Sequence, residues 1–375
     1  MVGWRIPVAR PDIGPDELKA VQEVVASGWI TQGPKVREFE QAFARLCSMP
    51  HSVATNTGTA ALQVALLALE IGPGDEVITT PLSCIASANP NLFAGARPVF
   101  ADVDRETYNL DTTQIEKWVT PRTKAVLPVH LFGHPCNMAP LLDLAQRRRL
   151  AVIEDASQAT GALYKGRRVG SFGHVGCFSL YANKIVTSGE GGMIVTQDEA
   201  LAQRMIAIRN FGQLPGQHFL HAFLGGNYKM TDLHAAIGCV QLEKLEGYIE
   251  RRRRNVAELN AALSPLSGLI ERLPSERPYA RAVHFSYHML FRAAALRQRA
   301  EAALHAAGIE TRPFFSLITE QAPYRSMGFS PADTPIAADL VARGLYVSNS
   351  PDLAADDKAL IVDTLRGVAR AEGVT

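Results

Sequence analysis

Short, unbroken apolar runs alternate with helical patterns across residues 52–196, and this alternation restricts the fold more than any other feature of the sequence. The runs are Ser52–Thr55, Glu76–Thr80, Arg97–Asp104, Thr123–Leu131, Leu150–Asp155, Val175–Tyr181 and Gly192–Thr196. Most lack the polar alternation of a half-solvated strand, as expected when a sheet is covered on both faces. Between them, Thr59–Leu69 is rich in Ala and Leu and stops before Gly72-Pro73-Gly74. Pro140–Arg149 ends in three arginines, which complement the negative end of a helix. Strand and helix in alternation predict an α/β domain on a mostly parallel sheet.

The pattern changes after Gly191. Residues 231–254 read as one long helix with Thr231 as its N-cap. Its four arginines, Arg251 to Arg254, read as a solvated helix end. From about residue 255 the order is helix, strand (Val283–Arg292), helix (Ala294–Ala307), strand near Ile309–Arg312, helix, strand (Gly344–Ser348) and helix. This predicts a smaller α+β domain, with the division drawn at 1–250 and 251–375. A chain of 375 residues accommodates two such domains at roughly 150 residues each.

Composition narrows the classes of partner. Hydrophobic residues make up 47% and charged residues 20%, which excludes general disorder. Lys+Arg is 38 and Asp+Glu is 37, too even a balance for a basic field, so nucleic acid is not an expected partner. No run approaches the roughly 20 apolar residues of a membrane helix, and the N-terminal stretch lacks the apolar core of a secretory signal. Cys47, Cys84, Cys136, Cys177 and Cys239 are dispersed with no C-x-x-C pair, which predicts reduced thiols in a cytoplasmic protein. Neither they nor the ten histidines have a metal-ligand spacing, so no metal is expected. His130 and His134 flank a turn and read as packing groups. His284 and His288, four apart in an expected strand, share a face and read as core or interface.

Four segments carry candidate chemistry. Leu150-Ala-Val-Ile-Glu-Asp155 is an apolar strand with two carboxylates at its C-terminal end, where open α/β sheets bind ligands. A carboxylate there can hold a proton on a heteroaromatic nitrogen. Lys184 follows an apolar, aromatic strand and precedes a Gly-rich turn, in a chain with nine lysines against twenty-nine arginines. Burial favours a neutral lysine amine, which Schiff-base chemistry requires. Val53-Ala-Thr-Asn-Thr-Gly-Thr-Ala-Ala61 leads a strand through Thr57-Gly58-Thr59 into a helix, a type of phosphate site. Gly225-Gly226-Asn227-Tyr228-Lys229-Met230-Thr231 is a Gly-rich approach to the long helix. The dinucleotide G-x-G-x-x-G and the P-loop motif are both absent, which disfavours a nicotinamide dehydrogenase. Phosphate anchor, carboxylate and amine together describe a pyridoxal-phosphate site.

The order and spacing of these segments resemble the DegT/DnrJ/EryC1/StrS sugar-nucleotide aminotransferases over nearly the whole chain. The matching stretches are Gly28-Trp-Ile-Thr-Gln-Gly-Pro34, Thr57-Gly-Thr-Ala-Ala-Leu62, Gly72-Pro-Gly-Asp-Glu-Val77, Val129-His-Leu-Phe-Gly-His-Pro135, Glu154-Asp-Ala-Ser-Gln-Ala159, Lys184 with Gly189-Glu-Gly-Gly192, and Asn227-Tyr-Lys-Met230. The resemblance implies the aspartate aminotransferase-like fold (fold type I), with a mixed, mostly parallel seven-stranded sheet. It implies that Lys184 binds the cofactor covalently and shuttles the proton, and that Asp155 faces the ring nitrogen. Gln158 resembles the residue near the ring hydroxyl, and Gly58, Thr59 and Ser179 resemble phosphate ligands. Asn227 resembles a phosphate contact supplied by a neighbouring subunit, which implies a homodimer with shared sites. Thr31 resembles a substrate-side position of enzymes that aminate 4-keto sugars. Asn183 and Tyr181, just before Lys184, are candidates to line the site.

Several positions depart from the family pattern. In Pro81-Leu-Ser-Cys84-Ile-Ala-Ser87 a cysteine stands where an aromatic residue often stacks on the cofactor ring. Lys229 replaces a common arginine, Thr319 falls near a usual histidine, and Val347-Ser348 replaces a frequent Leu-Pro. Thr311-Arg312-Pro313 resembles the GDP-perosamine synthase branch, which makes Arg312 a substrate-side candidate. A related dehydrating branch has histidine at the lysine's place, so Lys184 favours transamination. The expected activity is transfer of an amino group from L-glutamate to a nucleotide-linked 4-keto-6-deoxyhexose. The alternatives are amination of a keto-cyclitol or other small ketone, and a non-catalytic cofactor-binding regulator.

Overall fold

A computed structural model describes residues 3–214, 216–217 and 219–374. The chain runs α1 (Pro15–Ser27), α2 (Pro34–Cys47), β1 (His51–Thr55), α3 (Gly58–Ala68), β2 (Glu76–Thr79), α4 (Asn89–Phe93), β3 (Arg97–Phe100), β4 (Thr123–Leu127), α5 (Met138–Arg148) and β5 (Ala151–Asp155). It continues through β6 (Leu163–Tyr164), β7 (Arg167–Arg168), β8 (Val175–Ser179), β9 (Gly192–Thr196), α6 (Glu199–Arg209), α7 (Asp232–Glu243) and α8 (Leu245–Leu263). The remainder is β10 (Ile270–Arg272), β11 (Ala280–Arg281), β12 (Tyr287–Phe291), α9 (Ala294–Ala306), β13 (Arg312–Pro313), α10 (Ala322–Arg325), α11 (Pro335–Arg343), β14 (Gly344–Val347) and α12 (Ala355–Ala371).

Seven strands form the large sheet in the order β1-β9-β8-β5-β4-β2-β3. All neighbouring pairs from β8 to β3 are parallel, and β9 alone runs antiparallel to both its neighbours. Every residue of β2, β8 and β9 is buried, as the unbroken apolar runs require. Successive side chains feed opposite layers. Ile78, Val126 and Val152 join one apolar cluster with Phe39, Phe43 and Met138. Val77, Leu127 and Ile153 join the other with Leu62 and Leu66 of α3. Helices therefore cover both faces, which is the fold type I arrangement.

A second sheet, β10-β12-β14-β13, is antiparallel throughout. Leu259 and Leu263 of α8, Leu304 of α9 and Leu365 of α12 pack on Tyr287, Met289 and Phe291 of β12. Among the described residues no helix is long and apolar enough to cross a membrane.

The expected long helix over 231–254 is two helices that meet at Lys244 and extend to Leu263. Thr231 is the N-cap, accepting from the His234 N–H. The division at residues 250 and 251 falls inside α8. The four arginines are not a solvated helix end. They lie mid-helix, and Arg252 is buried, donating to the carbonyls of Phe285 and Asn349. His284 is outside the strand, in a left-handed turn at φ 48° before β12, although it and His288 are both buried. The strands read as Arg97–Asp104 and Thr123–Leu131 stop at Phe100 and Leu127, where the backbone turns into loops.

Candidate active site

Four strand ends meet at one edge of the large sheet. Gly192 opens β9 opposite both Thr55 of β1 and Ser179 of β8, and Asp155 ends β5 opposite Cys177 of β8. The C-terminal ends of parallel strands are where an open α/β sheet leaves a crevice.

Beyond β1, the Thr57 hydroxyl accepts from the Ala60 N–H and caps α3. The amides of Gly58 and Thr59 open the helix and have no carbonyl within it to pair with. Gly58 lies against Ser179: a Cβ at this position would fall 2.7 Å from the Ser179 Cβ. The glycine thus lets the helix start reach the Ser179 hydroxyl. Free amides, a hydroxyl and the positive end of a helix dipole form an anion cradle.

Asp155 is 3% exposed. Its Oδ2 accepts from the Ser87 hydroxyl at 2.7 Å and its Oδ1 from the Ser157 N–H at 3.0 Å. Gln158, also buried, accepts the Phe132 N–H on Oε1 at 2.9 Å, while Phe132 itself is held at φ 53° in the turn after β4. Lys184 is half-buried, with Nζ 5.0 Å from the centroid of the Phe285 ring. Burial pushes its pKa down, and the nearby Asp155 carboxylate and Cys84 sulfur only partly offset this. Cys84 is exposed.

The N-terminal segment completes the enclosure. Ile6 pairs in parallel with Ile309, and the Val8 N–H donates to Glu310 Oε2 at 2.9 Å. This lays Val8–Asp12 over a narrow cavity that Asn183, Lys184, Phe285 and Arg252 also line. Arg312, Tyr181, Asn183 and Tyr346 line the adjoining mouth. The Arg312 guanidinium is largely exposed and pairs with Glu310 at 2.6 Å. Asn183 Oδ1 is buried without a partner.

The structure therefore brings Asp155, Gln158, Gly58, Thr59, Ser179, Lys184, Cys84, Asn183 and Arg312 to one sheet edge and its rim. Of the other two candidates, one lies elsewhere on this chain and one borders the outward side of the α3 start. Thr31 sits in the loop before α2, which the buried Asp232 carboxylate holds by accepting the N–H groups of Gly33, Lys35 and Val36. Asn227 lines an outward groove with Asn56, Thr59, Phe93 and Leu224. Sequence reasoning missed Ser87, Phe285, Tyr346 and the Val8–Asp12 segment. Only Ser87 lies in a stretch the sequence singles out, Pro81–Ser87, and there for Cys84 alone.

The donor set fits pyridoxal phosphate. The cofactor presents a phosphate dianion, a ring nitrogen that can carry a proton, and a carbonyl that takes an amine. The crowded Gly58–Ser179 approach leaves a cradle for the first, Asp155 an acceptor for the second, and Lys184 an amine whose charged form burial disfavours for the third.

Comparison with known proteins agrees. The model of the DegT/DnrJ/EryC1/StrS aminotransferase family matches residues 11–366. GDP-perosamine synthase of Caulobacter vibrioides is 42% identical over 323 residues, covering 85% of this chain and 87% of that protein. GDP-perosamine synthase of Escherichia coli O157:H7 is 37% identical over 361 residues, covering 96% and 97%. The crystal structure of DesV from S. venezuelae superimposes with a TM-score of 0.89 at 34% identity, covering 94% of each chain.

Proposed function

Because the chain belongs to the DegT/DnrJ/EryC1/StrS aminotransferase family, and is thus a pyridoxal-phosphate-dependent sugar aminotransferase, we propose that it aminates a nucleotide-linked 4-keto-6-deoxyhexose with L-glutamate as donor. The observation that carries this reading is the convergence of Asp155, the nearby Lys184 and the Gly58 helix start against Ser179 at one sheet edge. Thr311-Arg312-Pro313 and the two relatives named GDP-perosamine synthase support the 4-keto sugar and make GDP the first nucleotide to test.

When bound, pyridoxal phosphate supplies the carbonyl that accepts the amino group and a ring that spreads the charge left when a proton departs from carbon. The chain's residues do the rest. Gly58, Thr59 and Ser179 would hold the phosphate, and the Asp155 carboxylate would accept a hydrogen bond from a protonated ring nitrogen. Gln158 would sit near the ring hydroxyl, and Cys84, where relatives often carry an aromatic residue, would offer the ring less area than an aromatic side chain. Lys184 moves the proton at Nζ, and burial lowers its pKa in the direction that favours the neutral, proton-accepting amine. Arg312 meets the anionic nucleotide part of the sugar substrate and Asn183 offers its free carbonyl oxygen, while Thr31, away from this chain's own crevice, would reach a sugar only in a neighbouring subunit's site.

A homodimer follows from the same reading. Phe93 and Leu224 beside Asn227 are 68% and 85% exposed, apolar surface that a second copy would cover while delivering Asn227 to the neighbouring phosphate. The free, buried thiols of Cys47, Cys136 and Cys177 favour a reducing, cytoplasmic setting.

The first experiment is the visible spectrum of the purified protein before and after L-glutamate, followed by a panel of GDP-, UDP- and dTDP-linked 4-keto sugars beside free keto-inositol. A yellow band that bleaches with glutamate and returns with a nucleotide sugar supports the reading. Return with keto-inositol alone would replace the sugar substrate with a cyclitol.

A further inference from the structure

Asp155 is joined to a directed chain of hydroxyls. Ser87 Oγ lies 2.7 Å from Asp155 Oδ2, and Ser83 Oγ lies 2.9 Å from Ser87 Oγ. A carboxylate can only accept, so the single Ser87 hydroxyl proton goes to Asp155, and Ser83 must donate to Ser87. Ser83, Ser87 and Asp155 are all at least 97% buried, being 2%, 1% and 3% exposed. Ser87 closes the short turn Ile85–Ser87 that follows Cys84. One loop therefore carries the group at the site mouth and ties itself to the carboxylate.

We propose that Ser87, polarised by Ser83, is a positioning residue that decides where the proton between Asp155 and the cofactor's ring nitrogen resides. This rests on the reading of Asp155 as the ring-nitrogen partner. A donor on a carboxylate favours its charged form, and charge-assisted bonds in a buried site are the strong ones. With Ser87 and the Ser157 amide both donating, the negative charge stays on Asp155 and the proton stays on the ring. Without Ser87, Oδ2 loses a donor in a buried position, and the proton shifts from the ring nitrogen to the carboxylate. Ser83 acts one bond further away, so its removal has a smaller effect in the same direction.

The test uses the full chain reconstituted with pyridoxal phosphate labelled with ¹⁵N in the ring. The ring-nitrogen NMR shift is recorded at neutral pH for the wild type, Asp155→Asn, Ser87→Ala, Ser87→Thr and Ser83→Ala, with cofactor Kd and far-UV circular dichroism alongside. Asp155→Asn moves the resonance to the unprotonated position, Ser87→Ala moves it part of the way, and Ser83→Ala less. Ser87→Thr, which keeps the hydroxyl, restores the wild-type shift. Cofactor Kd weakens roughly tenfold in Ser87→Ala, the loss of one charge-assisted bond. A Ser87→Ala resonance that coincides with the wild type while Asp155→Asn moves overturns the role of Ser87 and leaves Asp155 in place. An unmoved resonance in Asp155→Asn overturns the assignment of Asp155 itself. Should Ser87→Ala fail to fold, Ser83→Ala decides, and no shift there overturns the relay.

Discussion

His130 Nε2 lies 3.0 Å from Glu154 Oε2, and neither side chain reaches solvent. His130 Nδ1 accepts from the Cys136 N–H at 2.9 Å, so the ring proton sits on Nε2 and points at Glu154. The same carboxylate accepts the N–H groups of Gly170, Phe172 and Gly173. Four donors thus converge on the residue directly before Asp155. The pair locks the end of β5 to the loop that leads into β8.

Glu154→Gln replaces an oxygen with an N–H₂ group that must face donors, so at least one buried amide loses its acceptor. The expected loss is about 3 kcal/mol of unfolding free energy, read from urea denaturation. An unchanged urea midpoint would mean that the network is not structural.

Lys184→Ala removes the only proposed proton carrier. Turnover should fall by roughly 10³-fold or more, with far-UV circular dichroism unchanged. Substantial residual transamination would remove Lys184 from its role.

Acid should weaken the fold before the carboxylates titrate. Burial holds His134 at about 4, and His284 and His288 at about 3, against an ordinary 6.5. Below 6.5 the unfolded chain binds protons that the native chain does not, so stability falls as pH drops. Each histidine costs up to roughly 1.4 kcal/mol per pH unit until its own folded value is reached. The urea midpoint is therefore lower at about pH 5 than at about pH 7. His288 stacks on Phe132 at 4.7 Å, so His288→Phe preserves the stack and should flatten the slope. An equal slope in that variant would clear His288.

Arg252 and Arg254 should differ sharply. The Arg252 guanidinium donates to the carbonyls of Phe285 at 3.0 Å and Asn349 at 2.7 Å, and burial pushes its pKa down to about 10. Arg252→Met strands both carbonyls and should cost about 3 kcal/mol. Arg254 is exposed, and Arg254→Ala should stay within about 0.5 kcal/mol. Thermal denaturation of the two variants side by side checks the contrast.

Much of the candidate site is legible because its parts are local. Asp155 ends an apolar run, Lys184 follows another, and Thr57-Gly58-Thr59 joins a strand to a helix within a few residues. Arg252 was misjudged for the opposite reason. A four-arginine run looks solvated unless one knows that the small sheet's loops deliver two carbonyls to one face of α8. Ser87, Phe285 and Val8–Asp12 were invisible in their roles because each acts on a residue far away in sequence.

The alternating elements, the buried strands and the chemical character of each candidate segment are written in local sequence, since hydrophobic period and capping are set by neighbouring residues. Which segments meet is a property of the folded chain. The strand order β1-β9-β8-β5 places Gly58, Ser179 and Asp155 at one edge, and that order depends on crossovers whose pairing energy no short window contains. Side-chain partners such as Ser87 with Asp155, 68 residues apart, exist only once those crossovers have closed.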